Sequence, residues 1–244
     1  LQPEGFAVIL GCICAFLEEY GIAPYDEAAH TGVVRHVFIR RAEGPGQVMV
    51  WLVLRTRALP HWEVLCERLR EVCPALASFG IDVNPSRTNV IFGGKAATLW
   101  GADTIEDTLC GVRLALSPYS FFQVNRDAAE QLFQIAADYA APTSEDTLLD
   151  LYCGAGAVGL TMAHRVKSLI GVEIVPQAVE DARRNAAANG VRHARFLLAD
   201  AGTAARPLSE EGVRPDMFVL DPPRHGADEA PLAAMPTLHP APPV

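Results

Sequence analysis

The sequence lacks several features that mark metal-binding, membrane-spanning or nucleic-acid-coating proteins. Its six cysteines are scattered, and none forms the C-x2-C pair that holds zinc or an iron–sulfur cluster. The apolar run from Phe6 to Leu17 is too short to cross a bilayer and has no basic flank, which favours a core helix over a signal sequence. The net charge of −9 excludes the general excess of Lys and Arg that non-specific phosphate binding needs. We therefore expect a cytoplasmic globular protein with no metal, membrane or DNA partner.

Two stretches of the 244-residue chain follow different patterns. In residues 1–116, helical and strand patterns mix, and the unbroken apolar run Val48–Leu54 fits a strand that is covered on both faces. Further strands are expected near residues 88–92, 97–100 and 112–116. In residues 117–244, strand, glycine-rich turn and helix recur, which is typical of a parallel sheet with helices on its faces. The prediction is an α/β fold in which a Rossmann-like domain follows a smaller α+β module.

Three glycines open the first turn of this second stretch. Gly154, Gly156 and Gly159 form a G-x-G-x-x-G pattern directly after a predicted strand, where a nucleotide ligand can approach the backbone and the next helix. The pattern alone is weak evidence, because many tight turns need glycine for their shape only.

Four predicted strands in a row end with an acidic residue. These residues are Asp150, Glu173, Asp200 and Asp221, and open α/β folds bind ligands at that edge of the sheet. A row of carboxylates suits a cationic ligand that carries a ribose and repels a pyrophosphate. S-adenosylmethionine is therefore favoured over NAD, and an NAD-dependent oxidoreductase remains the alternative. The prolines after Asp221 are expected to stiffen the turn beside the donor's methyl group.

The motifs together resemble those of a known enzyme family. The segments "SPYSFFQVNRDAAEQLF", "LLDLYCGAGAVGL" and "VLDPPRHGADEA" resemble the RNA uracil-5-methyltransferases, and the resemblance covers about residues 20 to 230. The bacterial branch that modifies 23S ribosomal RNA is the most similar. This resemblance implies an S-adenosylmethionine-dependent methyltransferase domain, preceded by a central α+β module, that transfers a methyl group to C5 of uridine in RNA.

The same resemblance implies a set of residues that hold the methyl donor. They are Gln123, Tyr152, Glu173 on the ribose, Asp200 near the adenine, and Asp221 near the reacting end. Ala157 stands where some family members have an asparagine, so that contact is not expected here.

The family's catalytic residues are not expected within this chain. Family members add a cysteine thiolate to uracil C6 before C5 attacks the methyl group, and a base then removes the C5 proton. The cysteine belongs to a Ser-Cys-Asn-Pro turn after the "DPPR" strand, and the base lies near the C-terminus. The sequence departs from the family pattern after Asp228-Glu229-Ala230, and Cys153 belongs to the donor loop.

The expectation is a chain truncated at both ends, without the N-terminal barrel and iron–sulfur cysteines of many relatives. Such a chain would bind the donor and transfer no methyl group. The alternatives are a tRNA uracil-5-methyltransferase and a non-catalytic remnant that binds RNA or the donor. RNA phosphates could contact Arg35, His36, Arg40 and Arg41, although these residues could equally belong to a solvated strand edge.

Overall fold

The computed structural model describes residues 5–123 and 125–222. The chain forms two compact units, Leu1–Asp107 and Thr108–Val244. The two-stranded hairpin of β5 (Ile105–Leu109) and β6 (Val112–Leu116) includes the point of division. The module boundary that the sequence predicts between residues 116 and 117 stays a prediction.

The first unit is a four-stranded sheet with two helices. Along the chain come α1 (Gly5–Glu19), β1 (Val34–Arg41), β2 (Val48–Leu54), α2 (Trp62–Val72), β3 (Leu76–Val83) and β4 (Ala96–Gly101). The sheet order is β1-β2-β3-β4, with β2 and β3 parallel and the outer pairs antiparallel. Every residue of β2 is buried, as its unbroken apolar run predicts. The helices contribute Ile9, Ile13, Phe16, Leu65 and Leu69 to the core on one face of this strand.

The strand expected at residues 88–92 is wrong, because that segment is a loop. The amide nitrogen of Asn84 donates to the carbonyls of Val90 and Ile91, at 2.8 and 3.1 Å. Arg35 donates to the carbonyl of Thr88 at 3.0 Å. Side chains therefore bind carbonyls that a strand would offer to a neighbouring strand, and the fourth strand of the sheet begins only at Ala96.

The second unit contains a parallel sheet with helices on both faces. After β6 come α3 (Arg126–Ala140), β7 (Thr147–Leu151), α4 (Ala157–Met162), β8 (Ser168–Glu173), α5 (Pro176–Ala188), β9 (Ala194–Leu198), α6 (Ala201–Glu210) and β10 (Met217–Leu220). The sheet order is β10-β7-β8-β9, and all three strand pairs are parallel. Leu149 and Leu151 face α6, whereas Asp150 between them faces α4. This arrangement confirms the predicted Rossmann-like fold. Among the described helices, none is long and apolar enough to span a bilayer.

Candidate functional site

The carboxyl edge of the parallel sheet brings together the four acidic residues of the sequence pattern. Asp150 is the last but one residue of β7, Glu173 ends β8, and Asp221 directly follows β10. Asp200 lies two residues beyond β9 and is the N-cap of α6. Because the strands are parallel in the order β10-β7-β8-β9, the acids follow one edge in the order 221, 150, 173, 200.

Glu173 links the end of β8 to the glycine-rich loop. Its Oε1 accepts hydrogen bonds from the backbone N–H groups of Ile174 and Val175, both at 2.8 Å. Its Oε2 accepts one from the N–H of Gly154 at 3.0 Å. A carboxylate oxygen can accept about two hydrogen bonds, so Oε2 keeps one position for a ligand hydroxyl. The carboxylate is thus held in place by backbone groups before any ligand binds.

The glycine-rich loop has an unusual backbone. Tyr152, Gly154 and Gly156 have φ angles of 65°, 54° and 82°, all in the left-handed region. This conformation costs a non-glycine residue such as Tyr152 about 1–2 kcal/mol, so the surrounding contacts must hold it. A Cβ on Gly154 would meet no atom within 4 Å, which leaves space for a ligand beside the loop.

The last glycine of the motif is required by packing rather than by a ligand. A Cβ at Gly159 would lie 2.8 Å from both Oδ2 of Asp150 and Cδ1 of Leu169. The absence of that atom allows the N–H of Gly159 to donate to Oδ2 of Asp150 at 2.9 Å. The motif therefore combines a ligand-facing turn with a tight contact between α4 and β7.

Asp150 is a buried carboxyl group with an incomplete set of partners. The residue is 1% exposed, and its Oδ1 has no hydrogen-bond partner among the described residues. Burial raises the pKa of Asp150 to about 7, and the negative charges of Asp221 and Glu173 add to the effect, while the bond from Gly159 opposes it. The buried carboxyl group of Asp150 therefore lies close to two other negative charges at this edge of the sheet.

The other predicted donor-binding residues differ in their burial and in their positions along the chain. Asp200 is exposed, and its Oδ1 accepts from the N–H of Gly202 at 2.9 Å as a helix cap. Asp221 is exposed, whereas Tyr152 and Gln123 are half-buried. Gln123 belongs to the segment between β6 and α3. The roles of these residues toward a donor stay predictions. Two features of the sequence lie outside the described residues, namely Pro223 and the departure from the family pattern after residue 228.

Two buried polar residues of α5 were missed in the sequence, and one of them contacts the glycine-rich loop. Asp181 accepts hydrogen bonds through Oδ2 from the hydroxyls of Ser117, at 2.6 Å, and Ser120. Asn185 donates to the carbonyl of Ala155 in the glycine-rich loop at 3.0 Å. The signal that could have revealed them is the four-residue spacing of Asp181, Asn185 and the C-cap Asn189, which places these three on one side of the helix.

Cys153 is buried beside the glycine-rich loop and does not resemble a reactive thiol. Burial raises its pKa, and the charges of Asp150 and Glu173 raise it further, so the nucleophilic thiolate is disfavoured. We expect iodoacetamide to modify the exposed Cys14 of the native protein well before Cys153, as followed by peptide mass spectrometry. Both should react at similar rates in denaturant. Rapid labelling of Cys153 in the native protein would contradict the burial of this thiol.

One of the four residues considered for RNA phosphate contacts has a structural use instead. Arg35 donates through its terminal nitrogens to the carbonyls of Asn84 and Ser86, at 2.7 and 2.6 Å, in addition to Thr88. The pKa of His36 is lowered by burial and then by the charge of Arg35. Arg35 is thus engaged in holding the loop after β3, and the neutral form of His36 is favoured.

Comparisons with known proteins agree with this geometry. A family model described as "Methyltransferase domain" matches residues 142–217. A Halalkalibacterium halodurans protein named an uncharacterized RNA methyltransferase is 42% identical over 240 residues, which are 98% of this chain and 52% of the relative. A Streptococcus mutans protein of the same description is 38% identical over 92% of the chain and 50% of its own length. The chain thus spans about half the length of these curated relatives.

A solved structure extends the similarity to the fold. The tRNA (uracil-54, C5)-methyltransferase of Pyrococcus abyssi, in complex with S-adenosyl-L-homocysteine, matches with a TM-score of 0.73 and 25% identity. The match covers 93% of this chain and 53% of that one. The ligand in that structure is the demethylated form of the cofactor that the sequence predicts for this chain. The chain is therefore similar to RNA methyltransferases over almost all of its length, and its second unit contains a methyltransferase domain with a Rossmann-like fold.

Proposed function

We propose that this chain binds S-adenosylmethionine along the carboxyl edge of β10-β7-β8-β9 and acts in the C5 methylation of uridine in RNA. We further propose that 23S ribosomal RNA is the substrate and that the protein works in the cytoplasm. The observation that carries the donor site is the buried, unpartnered Oδ1 of Asp150 within a row of carboxylates.

The charge of the edge supports a cationic donor. Three carboxylates, those of Asp150, Glu173 and Asp221, influence one another there, and burial already opposes ionisation of Asp150. A ligand with an ammonium and a sulfonium would relieve this repulsion, whereas the pyrophosphate of NAD would increase it. The same argument makes an NAD-dependent oxidoreductase the weaker alternative.

Each donor-binding residue has a role that its position supports. Glu173 keeps an acceptor position on Oε2 for a ribose hydroxyl, and Asp200 presents its second carboxylate oxygen beyond the helix cap toward the adenine. Tyr152 and Gln123 line the donor from the glycine-rich loop and from the segment before α3. Asp221 borders the reacting end. S-adenosylmethionine, when bound, supplies an electrophilic methyl group.

The RNA part of the proposal rests on the relatives. The curated relatives are named RNA methyltransferases without a stated target, and the Pyrococcus abyssi neighbour acts on uracil C5 of a tRNA. Uracil C5 is therefore the favoured acceptor atom. The 23S substrate comes from the sequence motifs, and tRNA is the second candidate because of the neighbour.

Two measurements test the proposal. Isothermal titration calorimetry should detect S-adenosyl-L-homocysteine binding and no NADH binding, whereas the reverse result would replace the methyltransferase with the oxidoreductase. Incubation with tritiated S-adenosylmethionine and unmodified 23S or tRNA transcripts tests whether this chain is catalytic: label in 5-methyluridine of the 23S transcript would support the 23S substrate and would overturn the expectation, drawn from the sequence, that the chain transfers no methyl group. Label in tRNA alone would favour the second substrate, and donor binding without label in either RNA would favour the non-catalytic alternative.

A further inference from the structure

We propose that Asn185 is a positioning residue that ties the glycine-rich loop to strand β6 and so keeps the loop in the shape that the donor site needs. The inference rests on the proposed function for its effect on donor binding. Asn185 itself lies on α5 and is not placed in contact with the donor.

Asn185 uses both ends of its side-chain amide. The residue is fully buried, and its Nδ2 donates to the carbonyl of Ala155 at 3.0 Å. Its Oδ1 accepts from the N–H of Ala115 in β6 at 2.7 Å. One amide therefore joins the loop after β7 to a strand about 40 residues earlier in the chain and to a helix 30 residues later. A buried amide with both ends bonded specifies one orientation of its partners.

Asn185 is the middle member of a polar ladder on α5. Asn189 exchanges two hydrogen bonds with the backbone of Arg113, and Asp181 accepts from the hydroxyl of Ser117. Four helical residues rise about 6 Å and two strand residues about 6.6 Å, so positions 181, 185 and 189 match positions 117, 115 and 113 of β6 and its extension. The helix thereby satisfies backbone groups along the edge of β6 that another strand would otherwise bind.

The middle member differs from its neighbours because it also reaches the glycine-rich loop. Ala155 lies between the left-handed Gly154 and Gly156, and two residues after the left-handed Tyr152. The carbonyl bond from Asn185 restrains this stretch from one side, and the bond from Gly154 N–H to Glu173 restrains it from the other. If the first bond is lost, the Gly154–Gly156 turn loses one of its restraints, and we expect the loop to match the donor less closely.

The test compares two asparagine-to-aspartate changes on the same helix. Asn185→Asp keeps the acceptor for Ala115 but places an oxygen opposite the Ala155 carbonyl. Asn189→Asp makes the same chemical change in the ladder without touching the loop. By calorimetry at pH 8, we expect Asn185→Asp to weaken S-adenosyl-L-homocysteine binding about tenfold and Asn189→Asp to change it less than twofold. Equal losses in the two variants, or no loss in Asn185→Asp, would overturn the inference.

A protonation rescue separates positioning from a general loss of stability. Because position 185 is fully buried, we expect burial to raise the pKa of an aspartate there, and a protonated carboxyl can donate to the Ala155 carbonyl. The affinity ratio between wild type and Asn185→Asp should therefore narrow from pH 8 to pH 5.5. The ratio for Asn189→Asp should stay near one. A ratio at position 185 that does not change with pH contradicts the role of the Ala155 bond.

Hydrogen exchange keeps the inference testable without the donor. Amides of residues 153–156 should exchange at least tenfold faster in Asn185→Asp than in Asn189→Asp, and equal rates would overturn the inference. If wild type binds no donor, the proposed function fails while this comparison still decides whether Asn185 restrains the loop. Should Asn185→Asp not fold, Asn185→Ser, which is neutral and too short to reach both partners, is expected to show the same faster exchange.

Discussion

Replacing Glu173 by alanine is expected to weaken binding of S-adenosyl-L-homocysteine about 100-fold. The change removes the acceptor proposed for the ribose hydroxyls and releases the N–H groups of Gly154, Ile174 and Val175. Each hydrogen bond to a charged group contributes about 1.5–3 kcal/mol, and a tenfold change in affinity corresponds to about 1.4 kcal/mol. The loss of one such bond to the ribose accounts for about ten- to 100-fold, and the release of the loop N–H groups favours the upper end of this range, which calorimetry at pH 8 would measure.

Glu180→Ala is the matched control for this prediction. Glu180 lies on α5, is exposed, and pairs at 2.6 Å with Arg183, which is also exposed. Surface pairs of this kind contribute less than about 1 kcal/mol to stability, and the hydrogen bond of Glu180 goes to Arg183 rather than to the glycine-rich loop. Its replacement should leave donor affinity unchanged. Wild-type affinity in the Glu173→Ala variant would show that the ribose assignment is wrong.

The change Asp150→Asn is expected to stabilise the donor-free protein, and more so at high pH. In the folded protein Asp150 keeps its proton up to about pH 7, whereas the unfolded chain ionises this carboxyl near its ordinary value of 3.8. The folded state therefore binds more protons between about pH 4 and pH 7, so stability is fully present below this range and falls as pH rises through it. Asparagine does not titrate in this range, so the variant does not lose this stability as pH rises.

The size of the effect follows from the pKa difference. One pKa unit corresponds to about 1.4 kcal/mol, so the advantage of Asp150→Asn over wild type should grow by about 2 kcal/mol from pH 5.5 to pH 8. Urea unfolding at both pH values measures this difference. The control Asp138→Asn changes an exposed residue of α3 and should shift stability by less than about 0.5 kcal/mol at either pH. An advantage of equal size at both pH values would contradict the titration of Asp150.

The same variant should lose donor affinity while it gains stability. An amide at position 150 removes the negative charge that we propose attracts the cationic donor. Buried charges at binding sites commonly reduce the stability of the free protein in this way. Tighter donor binding by Asp150→Asn would indicate that the unpartnered oxygen has another role.

The sequence alone determined the features that depend on local pattern. The unbroken apolar run of β2 predicted a strand that is buried on both faces, because only a doubly covered strand needs no polar side. The acids near the strand ends predicted a row of carboxylates along one edge of a parallel sheet, and the structure has this row. These inferences succeeded because periodicity and residue type act over a few neighbouring residues.

Tertiary structure decided the features that depend on contacts between distant residues. Residues 88–92 have the composition of a strand, yet Asn84 and Arg35 bind their carbonyls and keep them in a loop. Packing of the helices on the sheet also separates the roles of Gly154 and Gly159. The same packing brings Asn185 to the carbonyl of Ala155. A side chain can satisfy a backbone group 30 or 49 residues away only where the fold brings the two together, and no local pattern encodes that meeting.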